Sequence, residues 1–134
     1  MSKKSKIVLI DDDNFYLVLA NQMVQNTFPE AVIKLYKSGV EALNYITNDP
    51  PDLLLLDINM PMMNGWDFLT EIHKKKSPAK FPVYMVTGSK EAYDHERAKQ
   101  FSFVKGCILK PLDYNKLEKF AELLNNGQNQ SFSM

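Results

Sequence analysis

The chain of 134 residues is long enough for one domain with a real core and short for two. Apolar residues make up 45% and charged residues 24%, which excludes a disordered chain, and sixteen basic side chains cancel sixteen acidic ones, so net charge recruits neither nucleic acid nor an anionic membrane. The single cysteine, Cys107, excludes an internal disulfide and a cysteine-built zinc site, and it fits a reducing compartment.

The start, Met1 to Lys6, is basic, but only Ile7-Val8-Leu9-Ile10 follows as an apolar run, too short for a signal peptide or a membrane span. A cytoplasmic location is the expectation. That run reads as a buried strand ending in Asp11-Asp12-Asp13. Asp13 or Asn14 can cap the next helix, for which Phe15, Leu19 and Met23 with Leu17, Ala20 and Val24 predict a broad apolar face before Pro29. Capping needs one acid only. Two adjacent carboxylates repel by about 4 kcal/mol at a few ångströms and an effective dielectric of about 20, so Asp11 and Asp12 call for a cation or a shifted pKa.

Ala31 to Tyr36 is β-branched and aromatic but interrupted by Lys34, which predicts an edge strand. Ser38-Gly39-Val40-Glu41 reads as a capping box opening a helix with Ala42, Leu43 and Ile46 inward, stopped at Asn48 to Pro51. Leu53 to Leu56 then run without polar alternation, as in a parallel strand covered on both faces, and deliver Asp57 to a turn marked by Pro61 and Gly65. In open α/β sheets that carboxyl edge is where ligands bind; a plain turn aspartate is the competing explanation. Asn64 to Asp67 can start a third helix with Phe68, Leu69 and Ile72 inward and Lys74, Lys75 and Lys76 at its carboxyl end. His73 and His95 have no partners visible in sequence and read as surface residues.

Phe81 to Val86 predicts the fourth strand, ending in Thr87-Gly88-Ser89. A helix is expected after Ser89 with a thin apolar face, Ala92, Tyr93 and Ala98, which makes it the least firmly packed of the set and suits a moving part. Cys107-Ile108-Leu109 reads as a short fifth strand delivering Lys110-Pro111. Asp113 caps a last helix, with Leu112 and Leu117 as a hydrophobic staple and Phe120, Ala121 and Leu124 inward, until Asn126-Gly127 stops it. One domain over residues 6–125 is expected, with flexible segments at 1–5 and 126–134.

Five strands alternating with five helices predict a flavodoxin-like, doubly wound parallel sheet of order 2-1-3-4-5. That order brings Asp11, Asp12, Asp57, Thr87 and Lys110 to one edge. Such a set suits a hard divalent cation and a phosphoryl group: Mg2+ held by Asp12 and Asp57, by Asp11 through water and by the backbone carbonyl of Asn59. Asp57 can act as the nucleophile toward phosphorus, Lys110 can neutralise charge, and Thr87 can donate to a phosphoryl oxygen. A purely structural Lys110 that balances buried acids is the alternative.

The stretches Ile7 to Asp12, Asp52 to Gly65 with Met60-Pro61, Val83 to Thr87 and Ile108 to Pro111 together resemble the receiver domains of two-component response regulators, chemotaxis-regulator-like in form, over residues 6–125. The resemblance implies that Asp57 is the phosphoacceptor, Asp11 and Asp12 the acidic metal pair, Thr87 the switch hydroxyl and Lys110 the essential lysine before a cis Pro111. It also implies phosphoryl transfer from a histidine kinase or phosphotransfer protein, and output to a target protein through a face of the fourth helix, fifth strand and fifth helix. Gly88 stands where the family often has alanine, and Cys107 where it often has an aromatic ring, so Phe101 and Phe103 are the candidates for a packing switch. Only nine residues follow Asn125, so no output domain is expected in this chain, which reads equally as stand-alone or as a fragment. Two rival functions are an aspartate-nucleophile phosphohydrolase, using the Asp11 to Asp13 run, and a binding module of receiver fold.

Overall fold

Apolar runs with no polar alternation have to be covered on both sides, and parallel strands linked by helices achieve this. The computed structural model of the chain describes residues 4–75 and 81–129. The elements are β1 (Lys6–Ile10), α1 (Asn14–Thr27), β2 (Val32–Tyr36), α2 (Gly39–Asn48), β3 (Leu53–Asp57), α3 (Gly65–Lys74), β4 (Val83–Thr87), α4 (His95–Ala98), β5 (Val104–Leu109) and α5 (Tyr114–Asn129). All strand pairs are parallel and the order is β2-β1-β3-β4-β5, the flavodoxin-like arrangement expected, with the Lys34-bearing strand at one edge.

Side chains alternate across the sheet and sort the core into two layers. Val8, Ile10, Leu54, Leu56, Val83 and Met85 pack with Ala42, Ile46, Phe68, Leu69 and Ile72 beneath α2 and α3. Ile7, Leu9, Leu53, Leu55 and Val86 pack with Leu17, Ala20, Val24, Leu117 and Phe120 beneath α1 and α5. Each of the four leucines of β3 is at most 2% exposed. Fully burying a leucine stabilises by about 1.5–3 kcal/mol, so β3 anchors the sheet.

Caps follow the residue types. The Asp13 side chain accepts from the Tyr16 N–H, Asn64 and Asp67 form a reciprocal capping box, and Asp113 accepts from the Lys116 N–H. Ser38 caps α2 as expected, but the Glu41 carboxylate reaches the Lys37 N–H rather than that of Ser38.

Four expectations are corrected. On α1 the row Leu17, Ala20, Val24 faces the sheet, whereas Phe15 and Leu19 are 74% and 51% exposed. Two apolar rows compete on that helix, and the one aligned with β1 and β3 takes the core. After Ser89 there is no continuous helix but a 3-10 turn at Lys90–Ala92 and the single-turn α4, because Ala98 alone is fully buried there. The fifth strand starts at Val104, earlier than the Cys107 expected, since Gly106 and Cys107 pair with Tyr84 and Met85. Finally, α5 continues through Asn126 and Gly127 to Asn129, a glycine in a helix costing only about 1 kcal/mol. Lys76 and residues 130–134 lie outside the described residues.

Gly65 sets the joint between β3 and α3. Its N–H donates to the Ile58 carbonyl at 2.8 Å, and a Cβ there would stand 2.7 Å from the Asp57 carbonyl oxygen and 2.9 Å from the Met85 methyl. Gly88 is different: it has no positive φ and a Cβ would meet nothing within 4 Å. Gly65→Ala is therefore expected to destabilise by about 2 kcal/mol or more, and Gly88→Ala to stabilise by about 0.4–1 kcal/mol through the unfolded chain. Urea unfolding of both variants checks this; equal effects would contradict the assigned roles.

Candidate functional site

The pairing register brings the polar residues together. Ile10 pairs with Leu56, so Asp11 and Asp57 stand side by side one step further on. Asp57 pairs with Val86 and Thr87 with Leu109, and the Lys110 N–H donates to the Thr87 carbonyl at 2.8 Å. Asp11, Asp57 and Lys110 each continue the alternation of the rows that face α1 and α5, which places them under the first turn of α1. Asp11, Asp57 and Thr87 are the buried polar side chains among the described residues, at 1%, 4% and 0% exposure. Asp12 is exposed at the rim, and the exposed Asn59 lies in the turn after β3.

Lys110 joins the two buried acids, with Nζ 2.8 Å from Asp11 Oδ2 and 3.5 Å from Asp57 Oδ1. Asp11 Oδ1 accepts from the Asp13 N–H at 2.9 Å, and Oδ2 faces the Lys110 ammonium. Burial, reinforced by the charge of Asp11, raises the Asp57 pKa to about 7 despite Lys110. Burial also raises Asp11, against the pull of Lys110. Burial alone would lower the Lys110 ammonium, but Asp11 and Asp57 more than offset it and hold it above its usual value. One lysine thus balances part of a charge excess that the acids cannot relieve among themselves.

Asp11, Asp12 and Asp57 each offer a carboxylate oxygen, and these atoms lie within 4.8 Å of one another. Three hard oxygen donors this close together fit a small divalent cation that keeps part of its water. The Thr87 hydroxyl donates to the Ser89 carbonyl and accepts from the Ser89 N–H, both at 3.1 Å, which ties it to the loop leading to α4. The Lys110-Pro111 bond is cis. Sequence reasoning missed Tyr16, whose ring centroid lies 4.3 Å from Lys110 Nζ. A tyrosine three residues past the capping Asp13, on the helix that follows the acidic strand end, is the signal that could have found it. Cys107 is exposed on β5.

The family model for the response regulator receiver domain matches residues 7–122. The probable transcriptional regulator ycf29 of Pyropia yezoensis is 28% identical over 124 residues, 90% of this chain and 52% of that protein, and the chain spans about half the length of curated relatives such as this one. The two-component response regulator from Cytophaga hutchinsonii matches with a TM-score of 0.81 at 26% identity, covering 92% of this chain and 99% of that one. The receiver domain of a sensor histidine kinase from Pseudomonas aeruginosa PAO1, solved with a magnesium ion coordinated in its active site cleft, shares the fold with a TM-score of 0.76 at 18% identity, covering 90% of this chain and 97% of that one. No helix among the described residues is long and apolar enough to cross a membrane.

The raised Asp57 pKa fixes the sign of a pH effect. Asp57 binds its proton more tightly in the folded chain, so its contribution to stability is full below the unfolded pKa of about 3.9 and is lost as pH rises through about 7. In metal-free buffer at pH 8, Asp57→Asn is expected to be more stable than wild type by about 2 kcal/mol, or about 5–10 °C in Tm. The gain should shrink steadily toward pH 5. Thermal melts with a chelator present check this, and an Asn variant that melts lower at pH 8 would mean that Asp57 is not under charge stress.

Proposed function

This chain belongs to the response regulator receiver family, and from that membership we propose that it is a phosphoacceptor of two-component signalling, taking a phosphoryl group on Asp57. The single observation that carries the proposal is the placement of Asp57 at the end of the most buried strand, beside Asp11 and Asp12 and 3.5 Å from the Lys110 ammonium. The signalling unit is set at residues 6–125, and a cytoplasmic location goes with this reading.

An Asp57 carboxylate oxygen attacks phosphorus, an acyl phosphate O–P bond forms, and the bond to the donor breaks. The donor's leaving group keeps the electron pair: an imidazole nitrogen from the phosphohistidine of a kinase or phosphotransfer protein, or a carboxylate from a small acyl phosphate. Lys110 turns an N–H from Asp57 toward a phosphoryl oxygen, and Thr87 exchanges its bond to the Ser89 carbonyl for another such oxygen. Asp11, Asp12, Asp57 and the Asn59 carbonyl would hold Mg2+, which when bound supplies positive charge against the phosphoryl oxygens. The exposed row Phe15, Val18 and Leu19 on α1, beginning two residues after Asp13, offers a phosphodonor protein an apolar surface beside the acceptor.

Output runs through Thr87. When its hydroxyl leaves Ser89, the loop, the 3-10 turn and α4 lose a tether, and this segment is built of one 3-10 turn and one α turn with Ala98 as its only buried residue from Lys90 to Gln100. The target protein is read by the face of α4, β5 and α5.

With a small acyl phosphate and Mg2+, mass analysis of the intact chain should show one phosphoryl group, mapped to Asp57 and absent from Asp57→Asn. A label on Asp11 instead would hand the function to an aspartate-nucleophile hydrolase. Magnesium should raise Tm by binding only the folded chain, and less so in Asp12→Ala; a wild-type midpoint that ignores Mg2+ would speak against the metal. In hydrogen exchange, phosphorylation should change residues 89–104 most, and changes confined to α1 would refute this output route.

A further inference from the structure

Lys110 must hold its place between two acids in the resting chain and then yield a donor to an incoming phosphoryl oxygen. Its ammonium carries three N–H donors, with Asp11 Oδ2 at 2.8 Å and Asp57 Oδ1 at 3.5 Å. The Tyr16 ring also meets the ammonium, its centroid 4.3 Å from Nζ. Tyr16 is itself fixed. Its N–H is capped by Asp13 Oδ1 at 3.1 Å, and its half-buried side chain packs against the layer of Leu17, Leu117 and their neighbours beneath α1 and α5.

The choice of a ring at this point has a physical reason. A carbonyl or carboxylate there would fix the third N–H in one direction and compete with the phosphoryl group for it. A π face attracts the charge without demanding a direction, so the ammonium is held and still free to rotate its donors. The contact of Tyr16 with the ammonium is made through the ring, so the ring and not the phenol oxygen is the part that meets Lys110.

We infer that Tyr16 is a positioning residue for phosphoryl transfer to Asp57, its ring face holding the Lys110 ammonium where it can pass from the acids to the phosphoryl oxygens. The inference rests on the function proposed above. It assigns to α1 a part in the chemistry distinct from capping and core packing.

The test compares wild type with Tyr16→Phe, which keeps the ring face, and Tyr16→Leu, which keeps only apolar bulk. In lysine side-chain NMR of the unphosphorylated protein, the Lys110 ε-methylene protons are expected upfield under the ring in wild type and Tyr16→Phe, and released in Tyr16→Leu. With acetyl phosphate as donor, Tyr16→Leu is expected to lower the maximal phosphorylation rate about tenfold, with the Mg2+ concentration for half effect unchanged, and Tyr16→Phe to stay within about twofold of wild type. A normal rate in Tyr16→Leu, a Phe variant as slow as the Leu variant, or Lys110 protons without a ring shift in wild type would each overturn the assignment. A wild type that accepts no phosphoryl group would bring down the proposed function; the NMR arm needs no donor and then decides alone whether Tyr16 holds Lys110.

Discussion

The contact of Lys110 with Asp11 and Asp57 is the constraint from which the carboxyl edge takes its form. Two carboxylates, each almost without solvent, cannot both stay charged on adjacent strands unless a cation is brought to them, and this one arrives from the far end of the chain through β5. The compensation is incomplete: one ammonium faces two buried carboxylates, and the pKa of Asp57 stays raised. A fold selected for stability alone would fill this edge with apolar side chains. The incompleteness is what makes the site receptive to further positive charge, and the leucines of β3 and the close approach at Gly65 supply the rigidity that lets it persist.

Much of this was legible in the residues. Unbroken apolar runs at Ile7 and Leu53 required a doubly covered parallel sheet, and Lys34 could only be tolerated at its edge. Once the order is 2-1-3-4-5, the convergence of Asp11, Asp57 and Lys110 follows from topology, because each ends a strand of the central or right-hand part of the sheet. Strand ends are robust markers: a charged residue after four apolar ones admits one placement.

What stayed hidden depended on choices that a linear pattern does not encode. Phe15 and Leu19 have the helical spacing of a buried row, and only the direction in which α1 lies across β1 and β3 decides that Leu17, Ala20 and Val24 are buried instead. The segment after Thr87 has enough helix formers for two turns, yet only Ala98 is fully covered while Ala92 and Tyr93 stay half-buried, so it breaks into a 3-10 turn and one α turn. Tyr16 escaped notice because a ring has no fixed chemistry; its value comes from the lysine that topology sets over it, ninety-four positions later in a chain of 134.

Trp66 is the only tryptophan in the chain, and it sits at the start of α3 only 4% exposed. Two of its neighbours come from the segment beyond Thr87: the Tyr93 ring with its centroid 5.9 Å away, and the Arg97 guanidinium carbon 5.3 Å from the indole centroid. An indole emits according to the charges and rings around it, so light from this one side chain records where that segment lies. The molecule therefore carries its own optical gauge, built into the seam between the first turn of α3 and the segment that follows Thr87.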